Sequence, residues 1–264
     1  MGVLFLRNKR VSLISAIITV VLVLNVVIIG IFIAFNQFSY DSLAKKQSDR
    51  LLSLLYERTE LYFHELLNDA TAFNELFCDQ ITYEQLFLHK DLSSIENFSS
   101  YIANKVKSRY SQISVVGYGD EEGRYIGFRI NPDESINLML KDSRTNNKLA
   151  IYSSDSINSN ILALYDDYDP RIRPWYEPLK SNAVTQWSNV YVNYDEIMNL
   201  TVSVMSPIFY QDKFYGVVTS DVSLNKVNSY LNSDKEIGNG VIYIIDKDNN
   251  ILAHSGKDDY ISIT

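Results

Sequence analysis

The residues best suited to chemistry run from Tyr168 to Tyr176 and read Tyr-Asp-Pro-Arg-Ile-Arg-Pro-Trp-Tyr. The stretch combines three aromatic rings with two guanidinium groups. A guanidinium binds a carboxylate through two parallel hydrogen bonds, and a neighbouring Trp or Tyr supplies an apolar wall with one polar atom. This mixture favours recognition of a small anion. It also fits a second interpretation, in which Trp175 and Tyr176 anchor a helix while the arginines face water.

Composition narrows the classes of function. The chain has 264 residues and a net charge of −8, with a pI near 4.9. Such an acidic chain argues against nucleic-acid binding, which requires basic surface. Cys78 is the one cysteine, so no intrachain disulfide can form. The three histidines, His64, His89 and His254, are widely spaced. We therefore expect no metal site and no cofactor.

The N-terminal region has the pattern of a membrane anchor. Residues 1–10 carry Arg7, Lys9 and Arg10 without an acid, and residues 11–35 carry no charge at all. About 20 apolar residues span a bilayer, so residues 11–35 are predicted to form a transmembrane helix. A cleaved signal peptide is the alternative, although its apolar core is shorter and ends in small residues. The basic residues place residues 1–10 in the cytoplasm and everything after residue 40 outside.

Residues 36–110 are predicted to form a stalk and its flanking helices. Within residues 41–78, apolar side chains recur at helical spacing on one face. They are Leu51, Leu55, Tyr62, Leu66, Phe73 and Phe77. Such a face would pack on the domain above it and on the same helix of a second copy, giving a homodimer; the alternative is a helix buried wholly within its own domain. Residues 83–110 continue as helix, with Ser93 or Ser94 as its cap.

The pattern then changes to short β-branched and aromatic runs separated by turn signals. The predicted strands are residues 112–118, 124–130, 136–140, 148–152, 190–194, 200–210 and 213–222. The last two form a hairpin across Gln211-Asp212, and a helix follows from Ser223. Residues 242–246 and 251–254 form another hairpin. The predicted fold is α+β, with an antiparallel sheet of about five or six strands and helices covering one side.

These landmarks together resemble a known family. Residues 39–264 resemble the start of a double Cache domain, the PAS-like periplasmic sensor of bacterial transmembrane signalling receptors. The resemblance rests on the long membrane-proximal helix and on Tyr168-x-x-x-x-Arg173-x-Trp175-Tyr176 with Tyr191 downstream. The strand pair that ends at Asp221 follows. The resemblance implies a protein of the bacterial inner membrane whose sensor domain is periplasmic or extracellular, and the one apolar run predicts a single pass.

One subgroup of this family binds free amino acids through a spaced set of Tyr, Arg, Trp, Tyr, Tyr and Asp. Resemblance assigns the ligand carboxylate to Tyr168, Arg173 and Trp175, and the ammonium to Tyr176, Tyr191 and Asp221. The chemistry agrees independently, because a zwitterion needs one fixed cation, one fixed anion and walls that exclude water. Taken alone, Asp221 is also explained as a cap for the helix that begins at Ser223.

Four charged neighbours of the motif are left outside the predicted site. They are Asp166, Asp167, Asp169 and Arg171. The three acids would favour a ligand with a cationic side chain. Arg171 would be a partner for a binding residue or a surface charge.

The resemblance also sets the domain plan. Residues 111–235 correspond to the membrane-distal Cache lobe that binds ligand, and residues 236–264 to the start of an incomplete membrane-proximal lobe. The chain is expected to be truncated, and residues 242–264 are expected to be weakly anchored or to lean on the first lobe. The expected function is a non-enzymatic sensor of an amino acid or related amine, with chemotaxis, diguanylate cyclase or histidine kinase output missing. The alternatives are a membrane-anchored scaffold or dimerisation subunit without a ligand, or an exported enzyme.

Overall fold

The described residues begin with one long helix. The computed structural model describes residues 13–89, 91–194, 200–233, 241–245 and 251–256. The chain divides into two compact units, residues 1–61 and residues 62–264. Helix α1 runs Leu13–Tyr83 without a break, where the sequence predicted separate membrane and stalk helices. No Pro or Gly lies between residues 36 and 40, so nothing there ends the helix.

The N-terminal part of α1 has the composition of a membrane span. Its most apolar 18-residue window has a mean hydropathy of 3.1, and the helix is long and apolar enough to cross a bilayer. Large apolar side chains such as Leu22, Ile28 and Phe35 are exposed along it. An apolar surface of this extent is unfavourable in water and suits a lipid environment.

The second unit is built on one antiparallel sheet. In the described residues it has nine strands in the order β5-β4-β3-β2-β1-β9-β8-β6, with β7 also paired to β8. The strands are β1 Ile113–Asp120, β2 Tyr125–Ile130, β3 Ile136–Lys141, β4 Leu149–Tyr152, β5 Ile161–Tyr165, β6 Gln186–Trp187, β7 Tyr191–Val192, β8 Leu200–Tyr210 and β9 Lys213–Ser223. Helix α2 spans Ser93–Arg109 and α3 spans Leu224–Ser233. The predicted α+β class is confirmed.

The sheet is larger than the five or six strands that the sequence predicted. Strands β5 and β6 are absent from that prediction. Strand β6 has two residues, which is too short for any periodicity to be seen. Strand β5 pairs along the edge of β4, and its side chains Ile161, Leu162 and Leu164 are exposed. It therefore lacks the alternation of a half-buried strand.

The two faces of the sheet carry separate apolar clusters. On one face, Leu66, Phe73 and Phe77 of α1 join the cluster that includes Val116. On the other face, Val115 belongs to a second cluster with Tyr125 and Trp175. Successive residues of a strand point to opposite faces, so Val115 and Val116 divide between the two clusters. The first face is the helix-covered core, and the second face holds the cavity described below.

The hairpin between β8 and β9 fixes the register of the central strands. Gln211 and Asp212 have φ angles of 50° and 60°, as a two-residue hairpin turn requires. The predicted turn thus forms at these two residues. Its register places Ser203 directly opposite Asp221.

Helix α2 begins differently from the prediction. Its N-cap is Leu92, without a side-chain cap, so neither Ser93 nor Ser94 caps the helix. Instead, Oδ1 of Asp91 accepts a hydrogen bond of 3.0 Å from the backbone N–H of Ser93. The carboxylate of Asp91 thus accepts from the N–H of the first helical residue, one of the donors for which the start of a helix has no intrahelical acceptor.

A second, two-stranded sheet follows α3. Strands β10 Tyr243–Ile245 and β11 Ile251–His254 pair antiparallel. Ala253 is fully buried, and the N–H of His254 donates to Oδ1 of Asn228 on α3 at 2.9 Å. The described part of this C-terminal segment therefore packs against α3 of the larger sheet domain. Residues 246–250 and 257–264, which the predicted second lobe includes, lie outside the described residues.

Candidate functional site

A cavity opens on the sheet face that the helices leave free. It holds about 440 Å³ of empty space, its mouth included. Residues from five neighbouring strands and from the segment after β5 line it. They are Val115, Tyr125, Arg129, Met139, Leu149, Ile151, Tyr168, Arg173, Trp175, Tyr191, Asn193, Tyr194 and Asp221. A mostly apolar wall with a few charged groups is typical of a small-molecule site.

The floor of the cavity is set by strand register. Val115 on β1 lies opposite Asp221 on β9 and opposite Arg129 on β2. Directly opposed residues of antiparallel strands share a face, so these three side chains form one row across the sheet. Neighbouring strands lie about 4.8 Å apart, which puts Asp221 and Arg129 roughly 10 Å apart at their backbones.

The segment between β5 and β7 supplies the opposite wall. Two short 3₁₀ helices, Pro170–Ile172 and Glu177–Lys180, shape it, and the first is capped by Asp169, whose Oδ1 accepts from the N–H of Arg171 at 2.9 Å. Proline at the start of each helix presets its turn. This local folding turns Arg173 into the cavity.

Contacts with the wall hold the Arg173 guanidinium in place. Its Nη2 donates to the carbonyl oxygen of Val192 at 3.1 Å. The guanidinium lies over the rings of Tyr191 and Tyr194, at 5.7 Å and 5.4 Å from their centroids. Stacking of this kind favours arginine over lysine and orients its planar fork.

Asp221 is the acid of the cavity. Its side chain is 7% exposed, and Oδ1 accepts a hydrogen bond of 2.6 Å from the Ser203 hydroxyl. The Tyr191 hydroxyl lies 2.7 Å from the same serine oxygen and donates to it in turn. Burial raises the pKa of Asp221 to about 6, while these hydrogen bonds and the guanidinium groups of Arg129 and Arg173 oppose the shift. The carboxyl is thus ionised at neutral pH in a place that favours its neutral form.

Aromatic rings close the space between the charged groups. The ring of Tyr125 lies edge-on to Tyr168 with centroids 5.4 Å apart, and 5.8 Å from Trp175. Burial raises the pKa of both Tyr125 and Tyr168 further above the ordinary range, so their hydroxyls stay neutral. The rings exclude water while the hydroxyls remain available as donors.

The cavity brings together five of the six residues predicted from the sequence. Tyr168, Arg173, Trp175, Tyr191 and Asp221 all line it.

Tyr176, the sixth predicted residue, does not line this cavity. It is fully buried beside it, with its ring 5.8 Å from Phe214 and 5.7 Å from Trp175. Its hydroxyl has no hydrogen-bond partner among the described residues. Trp175 takes the cavity side, and Tyr176, as its chain neighbour, packs into the cluster behind it. Tyr176 therefore does not reach the space inside this cavity, and its assignment to the ligand ammonium stays a prediction.

Three of the four charged neighbours of the motif, Asp166, Asp169 and Arg171, form ion pairs outside the cavity. Nη2 of Arg171 lies 2.7 Å from Oδ2 of Asp169, and Nζ of Lys148 lies 2.8 Å from Oδ1 of Asp166. None of these side chains lines the cavity in the described structure. They give no direct support for a ligand with a cationic side chain.

The sequence prediction missed several lining residues, of which Arg129 is the most informative. It lies half-buried in β2, a strand whose other residues are all buried. A lone charged residue inside the run Tyr125-Ile-Gly-Phe-Arg-Ile130 was a signal that could have singled it out. Tyr125 lies on the same face at an even spacing. Only the pairing of β1 with both β2 and β9 shows that these side chains lie on the same face as Asp221.

Comparison with known proteins identifies the sheet domain. Residues 126–229 match the family model described as "Methyl-accepting chemotaxis protein-like, first PDC sensor domain". This part of the chain is a PDC-type sensor domain. The double Cache resemblance drawn from the sequence is thereby confirmed, since the match begins within β2, ends within α3 and includes most of the residues that line the cavity.

Curated relatives support the same family. The methyl-accepting chemotaxis protein PctB of Pseudomonas aeruginosa is 36% identical over 92 residues, which is 35% of this chain and 14% of PctB. McpC of Bacillus subtilis, also a methyl-accepting chemotaxis protein, is 32% identical over 94 residues, 34% of this chain and 14% of McpC. The chain thus matches about one seventh of the length of these relatives.

A solved structure shares the fold of the PDC domain more widely. The ligand-binding domain of the Campylobacter jejuni chemoreceptor Tlp3, described in complex with 4-methylisoleucine, has a TM-score of 0.54 at 16% identity. The match covers 83% of this chain and 71% of that domain. At this identity the likeness establishes the fold alone.

Proposed function

We propose that this chain is the extracytoplasmic ligand-sensing module of a transmembrane signalling receptor, and that its cavity binds a free amino acid. One observation supports this proposal most directly. A buried acid, Asp221, and an oriented guanidinium, Arg173, line the same cavity, together with the rings of Tyr168 and Trp175. The α-ammonium group would bind Asp221, and the α-carboxylate would bind Arg173.

The charges of the cavity favour a zwitterion over a simple amine. An amine would satisfy Asp221 but would cover Arg173 without supplying an anion. Covering a charge without a partner costs free energy. An α-amino acid supplies both groups a few ångströms apart. The raised pKa of Asp221 supports the cationic half of such a ligand, because a cation placed beside this carboxylate relieves an unfavourable burial.

We further propose that residues 13–35 span the inner membrane, with the N-terminus in the cytoplasm and the sensor domain in the periplasm. The hydropathy of α1 and the basic residues of segment 1–10 support this orientation. A homodimer through α1 is proposed on the exposed apolar side chains Leu51, Leu54 and Leu61. We also propose that the signal from this sensor is received by a cytoplasmic output domain of the receptor.

Tryptophan fluorescence and thermal melting of the whole chain in lipid nanodiscs test the ligand. The chain has two tryptophans, and Trp175 lines the cavity, so binding should change its emission. A ligand at 100 times its dissociation constant stabilises the protein by about 2.7 kcal/mol. We expect at least one common amino acid to produce both signals, and Arg173→Ala to abolish them.

Arg171→Ala is the matched control, because it removes the same charge from the same segment outside the cavity. It should leave binding intact. If every amino acid fails on a folded sample, the alternative of a scaffold subunit gains, and crosslinking between cysteines placed along residues 41–61 of α1 tests it directly.

A further inference from the structure

Tyr125 is a buried polar residue that lines the cavity and lies outside the set of residues predicted from the sequence. Its side chain is 5% exposed. Its ring packs against those of Tyr168 and Trp175, with centroids 5.4 Å and 5.8 Å away. These contacts fix the ring, so the hydroxyl is the polar end of a rigid side chain.

Two opposed glycines give the phenol its place on the sheet. Gly127 shares the cavity face of β2 with Tyr125, and it pairs with Gly117 of β1. A Cβ at Gly117 would lie 2.9 Å from the hydroxyl oxygen of Tyr125, and a Cβ at Gly127 would collide with the same oxygen. The side chain of Tyr125 therefore extends over these glycines, and its hydroxyl occupies space that any other residue would fill.

This direction brings the hydroxyl towards the acid of the cavity. Beyond the glycine pair, the next pair on the same face is Val115 with Arg129, and Asp221 lies opposite Val115. Burial raises the pKa of Tyr125, and the carboxylate of Asp221 adds more to that shift than any other charged group does. The hydroxyl of Tyr125 is thus neutral and near Asp221.

The carboxylate of Asp221 leaves part of an ammonium to be satisfied elsewhere. An ammonium has three N–H donors that point in different directions, and one carboxylate cannot accept all of them. Oδ1 of Asp221 already accepts from Ser203 at 2.6 Å. A neutral phenol oxygen can accept, and no hydrogen bond joins the Tyr125 hydroxyl to another described residue. It is therefore available to a ligand that binds beside Asp221.

We propose that the hydroxyl oxygen of Tyr125 accepts a hydrogen bond from the ligand ammonium beside Asp221. The inference rests on the proposed function above, which places the ammonium at Asp221. Resemblance assigns such a contact to Tyr176, but Tyr176 packs behind the cavity, whereas Tyr125 lines it. The contact makes the site selective for a primary ammonium, because an N-methyl group removes one donor and displaces one acceptor.

Isothermal titration of the whole chain in lipid nanodiscs with the common L-amino acids tests the contact. The variant Tyr125→Phe keeps the ring and removes the hydroxyl. A hydrogen bond to a charged group changes affinity by about 10- to 100-fold, and we expect a loss of that size for each amino acid that binds the wild type. Unchanged affinity would show that Tyr125 is an apolar wall and that the inference is wrong.

Tyr152→Phe is the matched control. Tyr152 is buried to a similar degree, at 4% exposure, but it belongs to the cluster on the helix-covered face, so its replacement should leave the affinities unchanged. Ligand-free Tyr125→Phe should melt no lower than the wild type, because its hydroxyl makes no hydrogen bond within the described fold. A lower Tm would show that the hydroxyl supports the fold instead, against the inference.

N-methylated amino acids test whether the contact is made at the ammonium. For an amino acid that binds, N-methylation should weaken binding to the wild type at least about tenfold. It should weaken binding to Tyr125→Phe at least about threefold less, because the acceptor that the methyl group displaces is already absent. An equal loss in both proteins would place the hydroxyl away from the ammonium and overturn the inference.

The outcomes also separate this inference from the proposed function. Amino acids that bind the wild type and Tyr125→Phe equally well leave the amino-acid site standing and remove Tyr125 from it. If no amino acid binds the wild type, the proposed function fails, and this inference fails with it.

Discussion

Replacing Asp221 by asparagine separates two effects of one buried carboxylate. In the ligand-free fold the pKa of Asp221 is about 6, against its ordinary value of 3.8, and burial is the main cause. Each pKa unit corresponds to about 1.4 kcal/mol, so keeping this group ionised near pH 7 costs the fold about 3 kcal/mol. Asparagine removes the charge and keeps an oxygen that can accept from Ser203.

The expected result is a more stable protein that binds its ligand poorly. Burying the asparagine N–H₂ group offsets about 1 kcal/mol, which leaves a gain of about 2 kcal/mol. For a domain of about 200 residues this raises Tm by about 4–8 °C. Amino-acid affinity should fall at least about 30-fold, because the ligand ammonium loses its counter-charge. Gains in stability at the expense of function are common at binding sites.

The direction of the pKa shift fixes how the free energy of unfolding depends on pH. Since the folded-state pKa lies above the unfolded value, the stability contributed by protonated Asp221 is fully present below pH 3.8 and is lost as pH rises through 6. As pH falls, Asp221 of the wild type becomes protonated, and the wild type regains part of the stability by which Asp221→Asn exceeds it. We expect the advantage of Asp221→Asn at pH 7.5 to shrink by about 1 kcal/mol at pH 5.

Thermal melting of ligand-free protein in nanodiscs at pH 5 and pH 7.5 measures this change. Burial also raises the pKa of Asp120 to about 6, but its titration is common to both proteins and cancels in the difference. Asp166→Asn is the matched control, because that carboxylate is exposed on the surface, and it should change stability by less than about 0.5 kcal/mol. A variant that is less stable than wild type at pH 7.5, or an advantage that is the same at both pH values, would refute the reasoning.

Three other predictions concern binding and the supports of the sheet. Amino-acid affinity of the wild type should be constant above pH 7 and fall about tenfold per pH unit below 6, as Asp221 becomes protonated; titration calorimetry across pH 5–8 measures this. Asn74→Ala should lower stability by about 2–3 kcal/mol in denaturant unfolding, because the fully buried amide accepts from Ser220 at 2.8 Å. Gly216→Ala should cost at least about 2 kcal/mol in melting, since φ is +147° and a Cβ would collide with the carbonyl oxygen of Gly119; no loss would contradict that register.

The sequence by itself determined the local features of this protein. A charge-free apolar run specifies a helix able to span a membrane, because length and hydropathy are properties of consecutive residues. The pair Gln211-Asp212 indicates a tight hairpin, because two polar residues separate two strand patterns and Asp adopts positive φ more readily than most residues. The spaced Arg173 and Trp175 pointed to the binding segment. Each of these features depends on residues close together in the chain.

The tertiary structure decided which side chains share the cavity. Tyr176 is adjacent to Trp175 in the motif, yet it packs away from the cavity against Phe214. Arg129 lies far from the motif in sequence and still lines the same cavity. The reason is strand register: a side chain alternates between faces with a period of two, and a slip of one residue exchanges the faces. Pairing of β1 with β2 and β9 therefore places Arg129 and Asp221 on one face, which composition and spacing alone do not determine.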